Sequence, residues 1–346
     1  MNSFGRWMFV LLAMGVCSLS AQEASPSPTK EDTSETVPYE DIQVFARALQ
    51  LIRQDYVNEK KIGYRDLIYS ALRGMLSELD PHSQFMEPKD FKGMQEDTKS
   101  EFGGLGVMVD TKNGVLTVVT PLEDTPGFAA GIQPGDQILK INGKSTERMT
   151  VNEAVEMLRG EPGQKVTLTT LRPASKEIKD YELTRVVIKV PSVKDARILP
   201  ADKTNGKRVG YLRLTQFNEP TASEMAKELD KLEKKGMDAL VIDLRYNPGG
   251  LLNSAVDVCG QFLPPNTKVV SNEGRADSMQ REYRTTTSPS KKRTYPIAIL
   301  VNYASASGSE IVAGALKDLH RAVLVGETTF GKGSVQSVVS LPDGSA

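Results

Sequence analysis

Ser307 combines a residue type and a position that could supply a nucleophile. It lies at the predicted start of a helix, just after a buried strand that ends near Asn302. Unpaired N–H groups and the positive end of the helix dipole would stabilise an alkoxide or a tetrahedral oxyanion there. Ser307 and Glu310 also fit an ordinary helix cap, in which neither residue does chemistry. Because a nucleophile needs a neighbouring base, a second residue must decide between the two interpretations.

Lys332 is the candidate base. It lies between two glycines after the apolar run 322–326, which is an unusual place for a solvated surface charge. Burial of a lysine beside a serine favours the neutral amine, which can accept a proton. Gln336 follows four residues later and, in a strand, would share a face with Lys332 and orient its amine. Without Ser307, a surface lysine would be the simpler interpretation.

Two other kinds of site, a Ser-His site and a phosphate-binding loop, are alternatives to a Ser307–Lys332 pair. His320 could serve a Ser-His site, but nearly the whole predicted helix, roughly 15–18 Å, separates it from Ser307, so a surface histidine is the better interpretation. The run from Gly326 to Lys332 fits the Gly-x4-Gly-Lys pattern of a phosphate-binding loop. That loop needs Ser or Thr after the lysine and then a helix, whereas this chain has Gly333 and a predicted strand. We therefore reject nucleotide binding.

A turn with two glycines, Asn247-Pro248-Gly249-Gly250, follows another buried strand, 239–245. Glycines at the end of a buried strand bring bare backbone N–H groups to the edge of the sheet, where they could hold an oxyanion. Taken alone, the motif is better explained as a strand-to-helix turn that requires positive φ.

Composition excludes several classes of protein. The chain has 346 residues, 43 Lys and Arg against 44 Asp and Glu, and a net charge of −1, so charge gives no reason to expect nucleic acid as a partner. Two cysteines and two histidines exclude a Cys-rich zinc module and a disulfide scaffold. We expect no metal and no organic cofactor.

The N-terminus predicts export. Arg6 precedes an apolar run that ends in small residues at Ala21, the pattern of a cleaved signal peptide over residues 1–21. The run of about 15 residues is short for a membrane-spanning helix. Residues 22–37 are rich in Pro, Ser, Thr and Glu and predict a flexible linker. The mature chain would be located in the periplasm or at the cell envelope. It would keep one cysteine, Cys259, which we interpret as a core residue.

Three further regions are predicted. Residues 38–98 have apolar positions at helical spacing, and residues 99–190 alternate short strands with glycine turns. Residues 191–346 alternate strands and helices, with near-continuous apolar strands typical of a mostly parallel sheet covered by helices. The fold class is therefore mixed, α/β and α+β in several domains. The segment 334–341 is expected to be a strand that ends in a turn.

The middle region resembles a PDZ domain. It contains Gly103-Gly104-Leu105-Gly106-Val107 and later the string AAGIQPGDQILKING (129–143). Successive N–H groups in such a glycine-rich loop form an anion nest, and the adjacent edge strand can accept an extended peptide. The candidate peptide-binding residues are Gly104, Leu105, Gly106, Val107 and Arg159. Arg159, in the turn that follows the helix of this region, is also a candidate for coupling peptide binding to the site at Ser307.

Residues 40–346 as a whole resemble the carboxyl-terminal processing peptidases, the tail-specific proteases of family S41. The matching strings, besides the PDZ segment, are LDPHS (79–83), DLRYNPGG (243–250), NYASASGSEIVAGALKD (302–318) and GETTFGKGSVQ (326–336). The resemblance implies an α/β core of the crotonase or ClpP type, in which Ser307 is the nucleophile, Lys332 the general base and Gln336 the residue that positions it. It implies an oxyanion hole from the backbone N–H groups of Gly308 and of the Gly249 and Gly250 turn, with Ser305 and Ser309 as polar supports.

The resulting hypothesis is a serine-type endopeptidase that recognises free apolar C-termini of proteins through its PDZ domain and cleaves through an acyl-enzyme. Relatives continue beyond the turn at 341–346, so we expect the C-terminal part of the core to be missing here. The alternative is a non-catalytic PDZ scaffold that binds C-terminal peptides in the cell envelope. We also allow for a homodimer through the helical N-terminal part and for a regulatory partner.

Overall fold

The computed structural model describes residues 38–59, 62–276, 279–286 and 292–346. The predicted signal peptide and linker lie outside these residues. The chain divides into two compact units, Met1–Ser70 and Ala71–Ala346.

The N-terminal part is helical, as its apolar spacing predicts. It contains α1 (Tyr39–Asp55), α2 (Tyr64–Ser77) and α3 (Pro88–Lys99). After α2, the Asp80 carboxylate accepts the backbone N–H groups of His82 and Ser83, at 2.6 and 2.7 Å. These bonds and one from the Ser83 hydroxyl lower the pKa of Asp80. The LDPHS string thus builds a turn in the connection between α2 and α3.

The PDZ-like region contains a six-stranded antiparallel sheet. Its main path runs β2-β3-β4-β6-β7, with β5 beside β4, so β2 is an edge strand. A separate two-stranded sheet pairs β1 with β8. The elements are β1 (Glu101–Gly104), β2 (Val107–Lys112), β3 (Val115–Pro121), α4 (Pro126–Ala129), β4 (Gln137–Ile141), β5 (Lys144–Ser145), α5 (Val151–Leu158), β6 (Lys165–Arg172), β7 (Glu177–Thr184) and β8 (Val186–Lys189). Its core includes the fully buried Ile138 and Ile141.

The C-terminal region is a mostly parallel α/β structure, which confirms the predicted fold class. The strand order is β15-β14-β11-β10-β9, with only β9 antiparallel to its neighbour. The elements are β9 (Val193–Ile198), a 3-10 turn (Ala201–Lys203), β10 (Val209–Leu214), α6 (Thr221–Lys234), β11 (Ala239–Asp243), α7 (Leu252–Gly260), β12 (Lys268–Asn272), β13 (Arg281–Arg284), β14 (Ile297–Val301), α8 (Gly308–Asp318) and β15 (Val323–Gly326). Strands β12 and β13 form a separate hairpin.

One predicted strand is wrong. Residues 327–340 have no regular secondary structure, although three valines fall within 334–340. In the described part of the chain, β15 pairs only with β14 and no strand lies beside 334–340. Without a neighbouring strand the backbone groups have no hydrogen-bond partners of the kind a sheet supplies, so β-branched residues alone do not form a strand. The predicted turn is present, since the Gly344 N–H donates to the Leu341 carbonyl at 3.1 Å.

Candidate active site

Ser307 lies at the first turn of α8, as predicted. Its φ is +51°, a left-handed conformation that is uncommon for a residue other than glycine. Its N–H donates to the Glu310 carboxylate at 2.8 Å, and its carbonyl accepts the Glu310 N–H at 2.8 Å. Strained backbone of this kind concentrates at functional sites, where surrounding contacts hold it in place.

Two neighbouring serines are engaged in structural hydrogen bonds. The Ser305 hydroxyl donates to the Leu244 carbonyl at 2.8 Å and accepts the Asn302 N–H at 3.0 Å. The Ser309 hydroxyl donates to the Asn247 carbonyl at 3.0 Å. Both side chains are fully buried, so Ser307 is the serine of this loop with partial access to solvent.

The two-glycine turn packs directly against Ser307. A Cβ on Gly249, whose φ is +101°, would lie 2.7 Å from the Cβ of Ser307 and 2.8 Å from the amide nitrogen of Gly308. A Cβ on Gly308 would lie 3.5 Å from the amide nitrogen of Gly250. The predicted oxyanion residues are therefore brought together around Ser307. The Gly249 N–H, however, already donates to the Asn247 side chain at 2.9 Å.

Lys332 and Gln336 line the same cavity as Ser307 and Gly250, with a volume of about 840 Å³. The Lys332 amine donates to Gln336 Oε1 at 2.6 Å. The predicted contact therefore forms, although the strand that was expected to produce it does not. Lys332 is half-buried and Gln336 exposed.

Glu310 is the residue whose importance the sequence interpretation missed. Besides the Ser307 N–H, its carboxylate accepts the Thr329 hydroxyl at 2.7 Å and the N–H groups of Gly331 and Lys332 at 2.6 and 3.0 Å. Burial raises the pKa of Glu310, but these hydrogen bonds outweigh it, and the net pKa lies below the ordinary value. One carboxylate thus fixes both the start of α8 and the segment that carries Lys332.

The candidate peptide-binding residues also lie together. Gly104, Leu105, Gly106, Val107 and Arg159 line a cavity of about 230 Å³ between the edge strand β2 and helix α5. The guanidinium of Arg159 stacks 4.2 Å from the centre of the Phe102 ring. The groove is thus lined by an edge strand, by α5 and by a glycine-containing loop.

Comparisons with known proteins show which families this chain is similar to. Residues 208–346 match peptidase family S41, residues 117–172 match the PDZ domain and residues 7–90 match the activating protease CtpB N-terminal domain. The carboxy-terminal-processing protease of Bartonella bacilliformis is 39% identical over 89% of this chain and 69% of its own length. The chain belongs to peptidase family S41.

Other relatives and one solved structure are similar. The carboxyl-terminal-processing protease of a Picosynechococcus species is 38% identical over 85% of this chain and 70% of its own length. CtpB of Bacillus subtilis is 35% identical over 93% of this chain and 65% of its own length. The structure of a photosystem II D1 C-terminal processing protease is 29% identical over 88% of this chain and 85% of that one, with a TM-score of 0.45. The S41 chain described here thus spans about two thirds of its curated relatives.

An ion pair supports the two-glycine turn of this S41 peptidase. Arg245 donates through two nitrogens to the buried Asp243 carboxylate, at 2.7 and 3.0 Å, and the Tyr211 hydroxyl donates to it at 2.8 Å. Burial raises the pKa of Asp243, but the hydrogen bonds from Arg245 and Tyr211 lower it by more. The net pKa lies below the ordinary value, so the carboxylate stays charged. The sequence pointed to the DLRYNPGG string but not to this pairing.

The remaining reactive groups have structural explanations. Cys259 is fully buried, and burial raises the pKa of its thiol to about 12, as expected for a core residue. His320 follows the end of α8 and is exposed. Within residues 38–346, apart from the undescribed gaps, no group of three or more His, Cys, Asp or Glu side chains is arranged to hold a metal ion. No helix among the described residues has both the length and the apolar character needed to cross a bilayer.

Proposed function

We propose that this S41 peptidase is an exported endopeptidase that binds free apolar C-termini of proteins in its PDZ groove and cleaves them with a Ser307–Lys332 dyad. The observation that carries the proposal is that Ser307, Lys332, Gln336 and the Gly250 backbone line one cavity. These four groups come from three separate loops and combine a hydroxyl, an amine, an amide and a backbone N–H, the set that a Ser-Lys peptidase needs.

The proposed reaction begins with proton transfer. The neutral amine of Lys332, oriented by its 2.6 Å bond to Gln336, removes the Ser307 hydroxyl proton as the oxygen attacks the scissile carbonyl. The tetrahedral intermediate then expels the amine of the leaving fragment, which takes the proton from Lys332. Water hydrolyses the acyl-enzyme, with Lys332 again acting as base.

We assign the oxyanion hole to the N–H groups of Gly250 and Gly308. Gly249 is better explained as the residue that permits close approach, because its N–H is occupied by Asn247. Gly308 is the first residue of α8 and contributes the helix dipole as well as a free donor. Donors fixed in place before the reaction stabilise the developing charge without reorganisation.

Substrate capture is assigned to the groove between β2 and α5. A terminal carboxylate would bind at the loop 104–107, and Arg159 would add charge at that end of the groove. The apolar side chains of Val155 and Leu158 on α5 would contact the tail, so a polar tail should bind more weakly. This is the specificity the sequence predicts for the PDZ region.

The dyad is tested by replacing Lys332. We expect Lys332→Ala to lower the turnover of a protein with an apolar C-terminal tail by at least about 10³-fold, because the proton has no acceptor. Intact cleavage products are counted by mass spectrometry, and circular dichroism checks folding. The matched control is Lys317→Ala, an exposed lysine on α8, which should retain full activity. Wild-type turnover in Lys332→Ala would refute the dyad.

A non-catalytic PDZ scaffold is the competing function. It predicts that tails bind the wild type and Lys332→Ala equally and that neither form cleaves them. The convergence of Ser307, Lys332 and Gln336 on one cavity favours the enzyme, because a scaffold has no use for it.

We further propose a homodimer through α1. No residue of α1 is buried, although Ile42, Phe45 and Ile52 recur at helical spacing. These three side chains are 49%, 44% and 43% exposed, which is unfavourable for an apolar stripe in water. Phe45→Asp should convert a dimer to a monomer in size-exclusion chromatography with light scattering. Val44→Asp, on the other side of the helix, should not, and a monomeric wild type would refute the dimer.

The domain boundaries and the localisation are also proposals. We assign residues 38–98 to the helical region, 99–190 to the PDZ domain and 191–346 to the peptidase core. The pattern of residues 1–37 supports export to the periplasm or cell envelope. Mass spectrometry of the chain purified from its own cells should find an N-terminus close to residue 22. A regulatory partner would have to act on one of these three regions.

A further inference from the structure

Strand β12 forms one wall of the cavity that contains Ser307 and Lys332. Residues 270–273, the end of β12 and the position after it, line this cavity. The preceding Val269 packs on the hydrophobic core of the peptidase region. Successive side chains of a strand point to opposite faces, so Val269 fixes the strand to the core while Val270 borders the cavity.

The loop that carries Glu273 is folded tightly on itself. Asn272, the last residue of β12, pairs with Arg281 of β13, and its side-chain amide donates to the Met279 carbonyl at 2.7 Å. A Cβ on Gly274 would lie 2.5 Å from the Cβ of Met279. Glu273 is therefore held at a defined place on the border of the cavity, which a residue that selects substrates requires.

Glu273 contributes a negative charge to the cavity. Among the described residues that line it, Glu273 and Lys332 are the two with charged side chains. The Lys268 amine and the Arg284 guanidinium of the same hairpin donate to Glu282, at 2.8 and 2.7 Å, and leave the exposed Glu273 to solvent. Because the proposed reaction needs the neutral amine of Lys332, the cavity has a net negative charge in its reactive state.

Between Ser307 and Glu273 the cavity offers apolar surface. Ile311 lies one helical turn after Ser307, and its N–H donates to the Ser307 carbonyl at 3.0 Å. The apolar side chains that line the cavity include Leu251, Leu252, Val270 and Ile311. Lysine and arginine side chains combine a long aliphatic stem with a positive end, so they can cover such a surface and still place their charge at a carboxylate.

We propose that Glu273 is a specificity-determining residue that selects a lysine or arginine side chain of the substrate close to the scissile bond. This inference rests on the proposed function, in which the apolar tail binds elsewhere, in the PDZ groove. A cube of 840 Å³ has an edge of about 9 Å, and an extended chain rises about 3.3 Å per residue, so the selected residue lies within about three residues of the bond. An acidic residue at the same position is repelled.

The test uses peptide substrates that share one apolar tail and differ at a single position. Lysine, norleucine or glutamate is placed in turn at each of the three residues on either side of the scissile bond. Norleucine is lysine without its amine, so this pair isolates the charge. Glu273→Gln removes the carboxylate charge at nearly constant shape, and Glu273→Lys reverses it. The matched control is Glu327→Gln, an exposed glutamate outside the residues that line the cavity.

The measured quantity is the ratio of kcat/KM for the lysine substrate to that for the norleucine substrate. At the selected position we expect a ratio of about 5 in the wild type, the upper end for a partly solvated ion pair, and about 1 in Glu273→Gln. In Glu273→Lys the glutamate substrate should become the better one, and Glu327→Gln should keep the wild-type ratio. A wild-type ratio of about 1 at every position, or an equal ratio in Glu273→Gln, would overturn the proposal.

A binding measurement separates this proposal from the proposed function. Ser307→Ala cannot cleave, and a fluorescent peptide with an amidated end and no apolar tail does not depend on the PDZ groove. In this background the lysine peptide should bind more tightly than the norleucine peptide, and the added Glu273→Gln substitution should remove the difference. A wild type that cleaves nothing would refute the proposed function, while equal affinities for the two peptides in Ser307→Ala would refute selection by Glu273.

Discussion

The Glu310 carboxylate joins the two segments that carry the candidate dyad. It accepts hydrogen bonds from Ser307 at the start of α8 and from Thr329, Gly331 and Lys332 beyond β15. Four donors saturate the acceptor capacity of a carboxylate. No neutral side chain of the same size offers two equivalent oxygens, so the charge itself is needed for this arrangement.

Glu310→Gln should therefore misplace Lys332 relative to Ser307. The amide keeps one oxygen and directs its NH₂ group toward backbone donors. We expect kcat to fall about 10- to 100-fold, as for a displacement of order 1 Å, with KM little changed. Steady-state kinetics on the tailed substrate measure both values. Glu327→Gln, at an exposed glutamate nearby, is the control, and a kcat within twofold of wild type for Glu310→Gln would contradict the argument.

The pH dependence of stability gives a second test of the same residue. The pKa of Glu310 in the folded protein lies below its unfolded value of about 4.5. Its stabilisation is thus complete above that value and is lost as the pH falls through the folded pKa. Thermal unfolding followed between pH 6 and 3 should show this acid-dependent loss in the wild type and a smaller one in Glu310→Gln.

At the scale of single residues, the sequence pointed to the candidate nucleophile and base but not to the residues that hold their loops in place. Ser307 and Lys332 stand out by type and setting, and the structure brings them to one cavity. Glu310 fits a common helix cap, and nothing in its spacing to Ser307 reveals three further donors that lie 19 to 22 residues away. The Asp243–Arg245 pair was missed for a related reason. Two opposite charges close together in the sequence do not show that one of them, Asp243, is buried and paired with the other.

At the scale of elements, the fit between a turn and a helix builds the site. The turn after β11 and the first turn of α8 approach so closely that Gly249 has no room for a side chain. Two adjacent parallel strands, β11 and β14, bring these turns to the same edge of the sheet. The positions of the proposed oxyanion donors thus follow from the strand order together with one glycine.

Gly249→Ala tests this fit. The new Cβ would lie 2.7 Å from the Ser307 Cβ at a φ of +101°, so we expect a loss of about 2–4 kcal/mol of unfolding free energy and of most activity. Gly206→Ala is the control, with a φ of +76° but nothing within 4 Å, and should cost only about 1–2 kcal/mol. Chemical denaturation and turnover measure the two effects. Equal costs would show that backbone strain, and not contact with Ser307, determines the need for glycine.

Elements were predictable where local pattern and packing agree. The apolar runs of β11 and β14 formed strands and Ser307 opened a helix, as expected, because burial stabilises the same periodicity that the sequence contains. The segment 334–340 has a strand pattern without a strand beside it, and its valines are exposed. A strand depends on its neighbour, which no local pattern can supply.

At the scale of the molecule, two hydrophobic cores share no residue. One fills the PDZ region around Ile138 and Leu168, and the other fills the peptidase core around Ile242 and Ile299. The ion pair at Lys165, in the PDZ region, is mostly exposed. The ion pair at Arg293, in the peptidase core, is buried. Its guanidinium donates to Glu233 at 2.8 Å and the Arg293 side chain is 3% exposed.

This difference predicts that the two regions lose stability separately. Arg293→Met removes the guanidinium that neutralises the buried Glu233 carboxylate and should cost about 3–5 kcal/mol, whereas Lys165→Met, at an exposed ion pair, should leave the unfolding free energy nearly unchanged. Hydrogen exchange followed by mass spectrometry should therefore show faster exchange in β10, β11 and β14 of Arg293→Met, with β6 and β7 unchanged. Equal acceleration in both sets of strands would mean that separate cores still unfold as one cooperative unit.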